Sequence, residues 1–146
     1  MGTITTAMCS SFKEELLGGV HDLDTHTLKL ALIKPSPTGS FGAATTNYSQ
    51  LTSSSDEASG TNYTAGGQNL DSASITLSGT TAFVDFADEV FSNLTITAAG
   101  ALIYNSSASN KAIAVFSFGS NVASTAGDFT VIFPTADASN AVIRIT

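Results

Sequence analysis

The sequence predicts an all-β fold, an antiparallel β-sandwich or Greek-key barrel with one short N-terminal helix. Three observations carry that expectation. From Leu28 to Ile145 the chain is a series of short apolar segments rich in β-branched and aromatic residues, which suit a pleated, half-buried surface. Gly, Asn and Pro separate these segments about every 8 to 15 residues, the rhythm of a sandwich or barrel of about six to eight strands. Charged residues make up only 12% of the chain and hydrophobic residues 42%. Polarity therefore falls to Ser, Thr, Asn and Gly, which favour sheets and close protein contacts over long solvated helices.

The helix is expected just after the start. Ser11 is placed to cap it, Glu14 to complete a capping box, and Gly18-Gly19 to stop it after about two turns. Phe12, Leu16 and Leu17 fall toward one face, leaving Lys13, Glu14 and Glu15 for water. A helix this short has no stability of its own, so the apolar face must pack on the sheet or on a neighbour.

Leu28 to Ile33 alternates and reads as the first strand, ended by Pro35 and Pro37, which fix their own φ and donate nothing to a ladder. Residues 38–67, polar apart from Tyr48, Tyr63 and a few others, read as long exposed loops. Gly79-Thr80 joins Ser74–Leu77 to Ala82–Phe86 as a hairpin. Asn93 and Gly100 frame a strand at Leu94–Ala98, and Ala101–Tyr104 turns through residues 105–110 into Lys111–Phe118. The last strands are expected at Phe129–Phe133 and at Ala141–Ile145.

At 146 residues the chain fits one domain, which at this size buries roughly 70% of its unfolded surface. The expected division is an N-terminal segment, 1–27, carrying the helix, and a single β domain, 28–146. No apolar run approaches the roughly 18 residues of a membrane span, and no positive region precedes an apolar stretch at the start, so a soluble, unsecreted chain is expected.

Composition narrows the function classes. Twelve acidic against five basic residues give a formal charge of −7, with no Lys or Arg cluster to neutralise phosphates, so nucleic acid is not an expected partner. The single Cys9 excludes an intrachain disulfide. His21, Asp22, Asp24 and His26 form a His-Asp-x-Asp-x-His cluster able to offer metal ligands, but without zinc-site spacing. Asp85, Asp88 and Glu89 could present carboxylates, yet the calcium-loop pattern is missing. Nucleophile elbow, phosphate loop and dinucleotide fingerprint are all absent. The expectation is a non-enzyme with no cofactor and no metal.

In the stretch Cys9 to Asp22 (Cys-Ser-Ser-Phe-Lys-Glu-Glu-Leu-Leu-Gly-Gly-Val-His-Asp), followed by Leu28 to Leu32, the chain resembles a group of small tailed-phage virion proteins. The likeness continues through Asn62 to Gly67, Val84 to Asp88, Gly100 to Asn105, Val115 to Gly119 and the ending Ile143-Arg144-Ile145. Phe91 departs from it, standing where the group carries Trp. The resemblance implies a β-rich protein that coats a particle at the head exterior. A capsid decoration, or cement, protein of that kind would bind the major capsid protein as a homo-oligomer, with a trimer favoured, and would need neither nucleic acid nor membrane. Phe12, Leu16 and Leu17 are the candidate shell contacts. The alternative is a tail or head-fibre module that meets the host surface through the 38–67 loops, with Tyr48 and Tyr63 as the recognising side chains.

Overall fold

Backbone pairing organises the chain around one long antiparallel hairpin. The computed structural model describes residues 1–71 and 73–146. In chain order these form β1 (Ala7–Met8), α1 (Ser10–Leu17), β2 (Leu28–Ile33), α2 (Ser49–Ser53), β3 (Gln68–Asn69), β4 (Ser74–Ser78), β5 (Thr81–Asp85), β6 (Glu89–Asn105), β7 (Lys111–Val131) and β8 (Ile143–Ile145). One sheet has the order β1-β7-β6-β2-β3 and the other β4-β5-β8, with antiparallel pairing throughout both. The fold is all-β with a short N-terminal helix, as the sequence predicts. A second helical turn, α2, and the two-residue β1 and β3 had no sequence signal.

The centre of the larger sheet is buried on both faces. Leu30 to Ile33 of β2, Ala101 to Asn105 of β6 and Ala112 to Val115 of β7 are all buried. Successive side chains of a strand point to opposite faces, so the neighbours Tyr104 and Asn105 report what covers each side. Tyr104 stacks on Tyr48 with ring centroids 4.5 Å apart. Asn105 meets His21 and His26, and His21 in turn packs on Phe12. The N-terminal helix and turn thus sit on one side, and the 38–67 segment on the other.

That placement corrects the reading of 38–67 as exposed loops. Phe41, Thr45, Leu51, Asp56 and Ala58 are buried, and the segment is tied to β2 through Lys34 N to Asp56 O at 2.9 Å and Ala58 N to Leu32 O at 2.8 Å. The N-terminal segment is likewise no appendage. Cys9, Phe12 and Leu23 belong to the main core cluster, and β1 pairs with β7. A boundary at residue 27 does not mark a structural division.

Two long strands replace four shorter expected ones. Gly100 does not end a strand; it lies inside β6, where a Cβ would come 2.4 Å from the carbonyl oxygen of Phe116 and 2.8 Å from Ile4 Cγ2. Close backbone approach, not a turn, requires the glycine. Gly119, with φ +79°, sits in a register shift of β7 between the pairs Ala98↔Val122 and Gly100↔Ser117. The extra residues bulge out while pairing resumes beyond them.

Helix α1 starts two residues earlier than expected. Cys9 occupies the N-cap and no side chain bonds there, while Ser11 Oγ is buried without a partner among the described residues. The expected capping box does not form, and the helix is held by Phe12 in the core. Glu15 is not left to water either: it meets Lys111 Nζ at 2.9 Å and His21 Nε2 at 3.2 Å.

The β4–β5 hairpin matches its prediction, with Ser78 opposite Thr81 across Gly79-Thr80 and Gly79 at φ +61°. The accessible surface, 7009 Å², equals the about 7,000 Å² usual for a monomer of this mass, so the core closes within one chain. β8 contributes to that closure, because Ile143 is 2% exposed and opposite Val84 of β5. Deleting residues 142–146 should therefore cost about 3 to 5 kcal/mol in urea unfolding, whereas loss of a frayed tail would leave the midpoint unchanged.

Candidate interaction surface

The polar side chains with chemical potential are mostly turned inward and spent on holding segments together. Glu57 accepts from Tyr48 Oη at 2.6 Å, from Tyr63 Oη at 2.8 Å and from Gly66 N at 2.7 Å. Tyr63 Oη also accepts from Leu32 N at 2.9 Å, and Tyr104 Oη donates to Gly66 O at 2.7 Å. Burial, together with the adjacent Glu57 carboxylate, raises the pKa of Tyr48, Tyr63 and Tyr104, the last to about 12. These phenols stay protonated donors. The alternative recognition role needed Tyr48 and Tyr63 free on loops; both are part-buried with their hydroxyls engaged, which corrects that reading.

Asp56 is a second hub. Its side chain is fully buried and accepts from Thr38 N and Gly39 N at 2.7 Å each, with Lys34 Nζ 3.0 Å away. Burial alone would raise its pKa, but the donors from Ser54, Thr38, Gly39 and Lys34 outweigh it and hold the carboxyl well below the usual carboxylate range.

The histidine cluster serves the same purpose. The amide of Asn105 can only donate from Nδ2, and it does so to Nδ1 of His21 at 3.0 Å and Nδ1 of His26 at 2.9 Å. Asn105 Oδ1 accepts from Ser107 N. Asp22 closes its own turn, accepting from Thr25 Oγ1 at 2.7 Å and from Asp24 N at 3.1 Å. Among the described residues no three His, Cys, Asp or Glu side chains converge as metal ligands. Of the second carboxylate set, Asp88 accepts from Phe133 N, and Glu89 is buried against Gln68. Cys9 is buried, and desolvation followed by the charge of Glu15 pushes its thiol up to about 12, so it is no nucleophile.

One face of the smaller sheet leaves large apolar side chains outside. The register of the smaller sheet sets Ile75, Val84 and Ile143 in one row and Leu77, Ala82 and Ile145 in the next, all on one face. Val84 and Ile143 are buried, but Leu77 is 72%, Ile75 54% and Ile145 53% exposed. Leu16 and Ile145 line one groove with Ile75, Ala82 and Leu23, and a second with Leu17, Met8, Lys13 and Arg144. Helix and sheet therefore share a continuous apolar surface with two cations at its rim.

The three candidate contact residues divide on this surface. Phe12 is fully buried in the chain's own core and is corrected from contact to core residue; Leu16 is half-buried at the groove, and Leu17 is 92% exposed. Ile75, Leu77, Ala82 and Ile145 were missed. Their alternation gave a strand with one apolar face, but nothing in a sequence says whether that face is covered from within.

Two substitutions test the internal hubs. Glu57→Ala should lower stability by about 3 kcal/mol or more in urea unfolding, because two part-buried hydroxyls lose a charged acceptor. Asp56→Asn should cost about 2 to 4 kcal/mol at pH 7. Because the folded-state pKa is depressed, this contribution is present above the unfolded value of about 3.9 and fades as pH falls below it. The gap between wild type and variant should accordingly narrow progressively as pH falls below about 3.9 and close only at the depressed folded-state value; a gap independent of pH would contradict the charge-based account.

No family model, curated protein or solved structure matches this chain.

Proposed function

We propose that the chain is a structural protein of a tailed-phage virion, a capsid decoration protein that binds the major capsid protein on the head exterior and stabilises the shell by binding alone. The observation that carries this reading is the apolar surface running from Leu16 and Leu17 of α1 across Ile145 to Ala82, Leu77 and Ile75. Contiguous exposed apolar surface marks a contact with another protein. The resemblance of the sequence to small virion proteins supplies the partner class. A compact β unit suits this reading: it would add buried area across a seam, and binding to the assembled shell would stabilise it by mass action. A homo-oligomer, with a trimer favoured, would place several such surfaces on the shell at once and multiply a modest affinity per copy. With −7 net charge the chain has no electrostatic attraction to the packaged nucleic acid.

The test uses particles stripped of the protein. Stripped particles should release DNA at a lower temperature, and adding the chain back should restore the original release temperature. Leu17→Asp combined with Ile145→Asp should weaken rebinding at least tenfold, since two charges enter a desolvated contact, while its circular dichroism stays that of wild type. Unchanged DNA release after stripping, or full rebinding by the double variant, would count against decoration through this surface.

A further inference from the structure

An edge strand offers a row of unpaired N–H and C=O groups, and proteins protect such edges with charge, proline, bulges or shortness. β1 and β3 are two residues long, and β8 is three residues long with Arg144 at its centre. The outer stretch of β7 is broken by the positive φ of Gly119 and Ala126 and carries Asp128. β4 has none of these devices. Ser74-Ile75-Thr76-Leu77-Ser78 is uncharged, runs five residues in unbroken register with β5, and is exposed at every position. Among the described residues no hydrogen bond reaches β4 except those of the β4–β5 ladder.

The sequence of β4 is also a chemical palindrome. Read about Thr76, an antiparallel pairing with an identical strand sets Ser74 opposite Ser78, Ile75 opposite Leu77 and Thr76 opposite Thr76. Apolar side chains then face apolar ones on one side of the sheet, and hydroxyls face hydroxyls on the other, as an isologous twofold contact demands. We propose that the occupant of this edge is a second copy of the chain, paired β4 to β4, giving a continuous sheet β8-β5-β4-β4-β5-β8. The seam is twofold, in contrast to the threefold assembly expected from the sequence.

Charge permits this contact. Two copies each carry −7, so the seam must keep acids apart. The nearest acid across the ladder is Asp85, opposite Ser74. In the twofold register the two Asp85 side chains lie at opposite ends of the seam, about 20 Å apart by strand spacing and rise, beyond the roughly 10 Å screening length at 0.1 M salt. The seam is short, so it buries well under the about 800 Å² per partner of a stable interface. The free dimer is consequently weak and concentration-dependent, and it strengthens where copies are held side by side. The pairing joins the apolar rows of the two copies into one face, Ile145-Ala82-Leu77 continuing into Ile75-Val84-Ile143 of the second copy, in which Val84 and Ile143 stay buried in each chain's own core. It does not depend on the capsid assignment.

Register-specific cross-linking of the full chain tests the proposal. Opposed residues of an antiparallel pair have Cα atoms about 4.5 to 5.5 Å apart, within disulfide reach. Thr76→Cys should oxidise to a covalent dimer at least tenfold faster than Ser74→Cys or Ser78→Cys alone, whose counterparts lie about 14 Å off along the seam. A mixture of Ser74→Cys with Ser78→Cys should form the heterodimer, and the native Cys9 stays out because it is buried. Sedimentation of the unmodified chain from about 10 μM to about 1 mM should show a growing dimer, abolished in Ile75→Lys/Leu77→Lys and restored as a heterodimer by mixing with Ile75→Glu/Leu77→Glu. Equal cross-linking rates at the three positions would overturn the seam, as would a chain that stays monomeric at the highest concentration. A dimer indifferent to the lysine substitutions would place the contact on another edge and overturn it equally.

Discussion

The structure depends on the two-sided burial of its central strands. Where β2, β6 and β7 lie side by side, both faces are apolar, so neither can be left to solvent and each must be covered by chain that is not itself regular sheet. Tyr104 and Asn105, adjacent in sequence and opposite in direction, show how each cover is fixed. One leads to the tyrosine–Glu57 hub and the 38–67 segment, the other to the histidine pair and α1. Covering segments of irregular backbone carry many main-chain polar groups, and these must find partners when buried. Asp56 and Glu57 supply acceptors for several of them, which is why two adjacent carboxylates sit inside a chain so poor in charge.

This explains what the sequence revealed and what it concealed. Elements whose burial is set by their own pattern were legible: Leu28–Ile33 with its proline stop, the Gly79-Thr80 hairpin, the turn after Asn105, and the C-terminal strand. The 38–67 cover was not, because its core contribution comes from isolated residues such as Phe41 and Leu51, and its order comes from carboxylates bonded to distant backbone. Gly100 looked like punctuation because a glycine needed for close approach is indistinguishable, in sequence, from one needed for a turn. Ser11 and Glu14 matched a capping signature, yet the helix is positioned by Phe12, and tertiary packing outweighed the local signal.

The same division bears on the candidate site. The residues whose types suggest chemistry, His21, His26, Asp22, Asp56, Glu57 and the tyrosines, are consumed by internal bonds. Large apolar side chains remain exposed instead, Leu17, Ile75, Leu77 and Ile145 on one surface and Val122 and Ile132 on β7 and just beyond it. Leu17 was legible as a contact candidate, being an apolar residue at the end of a two-turn helix. Ile75, Leu77 and Ile145 were legible only as strand residues, since the covering of a sheet face is a property of the whole fold. The proposed adhesive role rests on that exposed apolar surface.

The most direct measurement of the central claim is amide hydrogen exchange of the isolated chain, resolved residue by residue. If both faces of the central strands are covered as described, the amides of Lys34, Thr38, Gly39, Asp56 and Ala58 should be protected within about tenfold of those in β2 and β6, because they open only with the core. Exchange of these amides at the rate of an unstructured loop, with β2 and β6 still protected, would contradict the account.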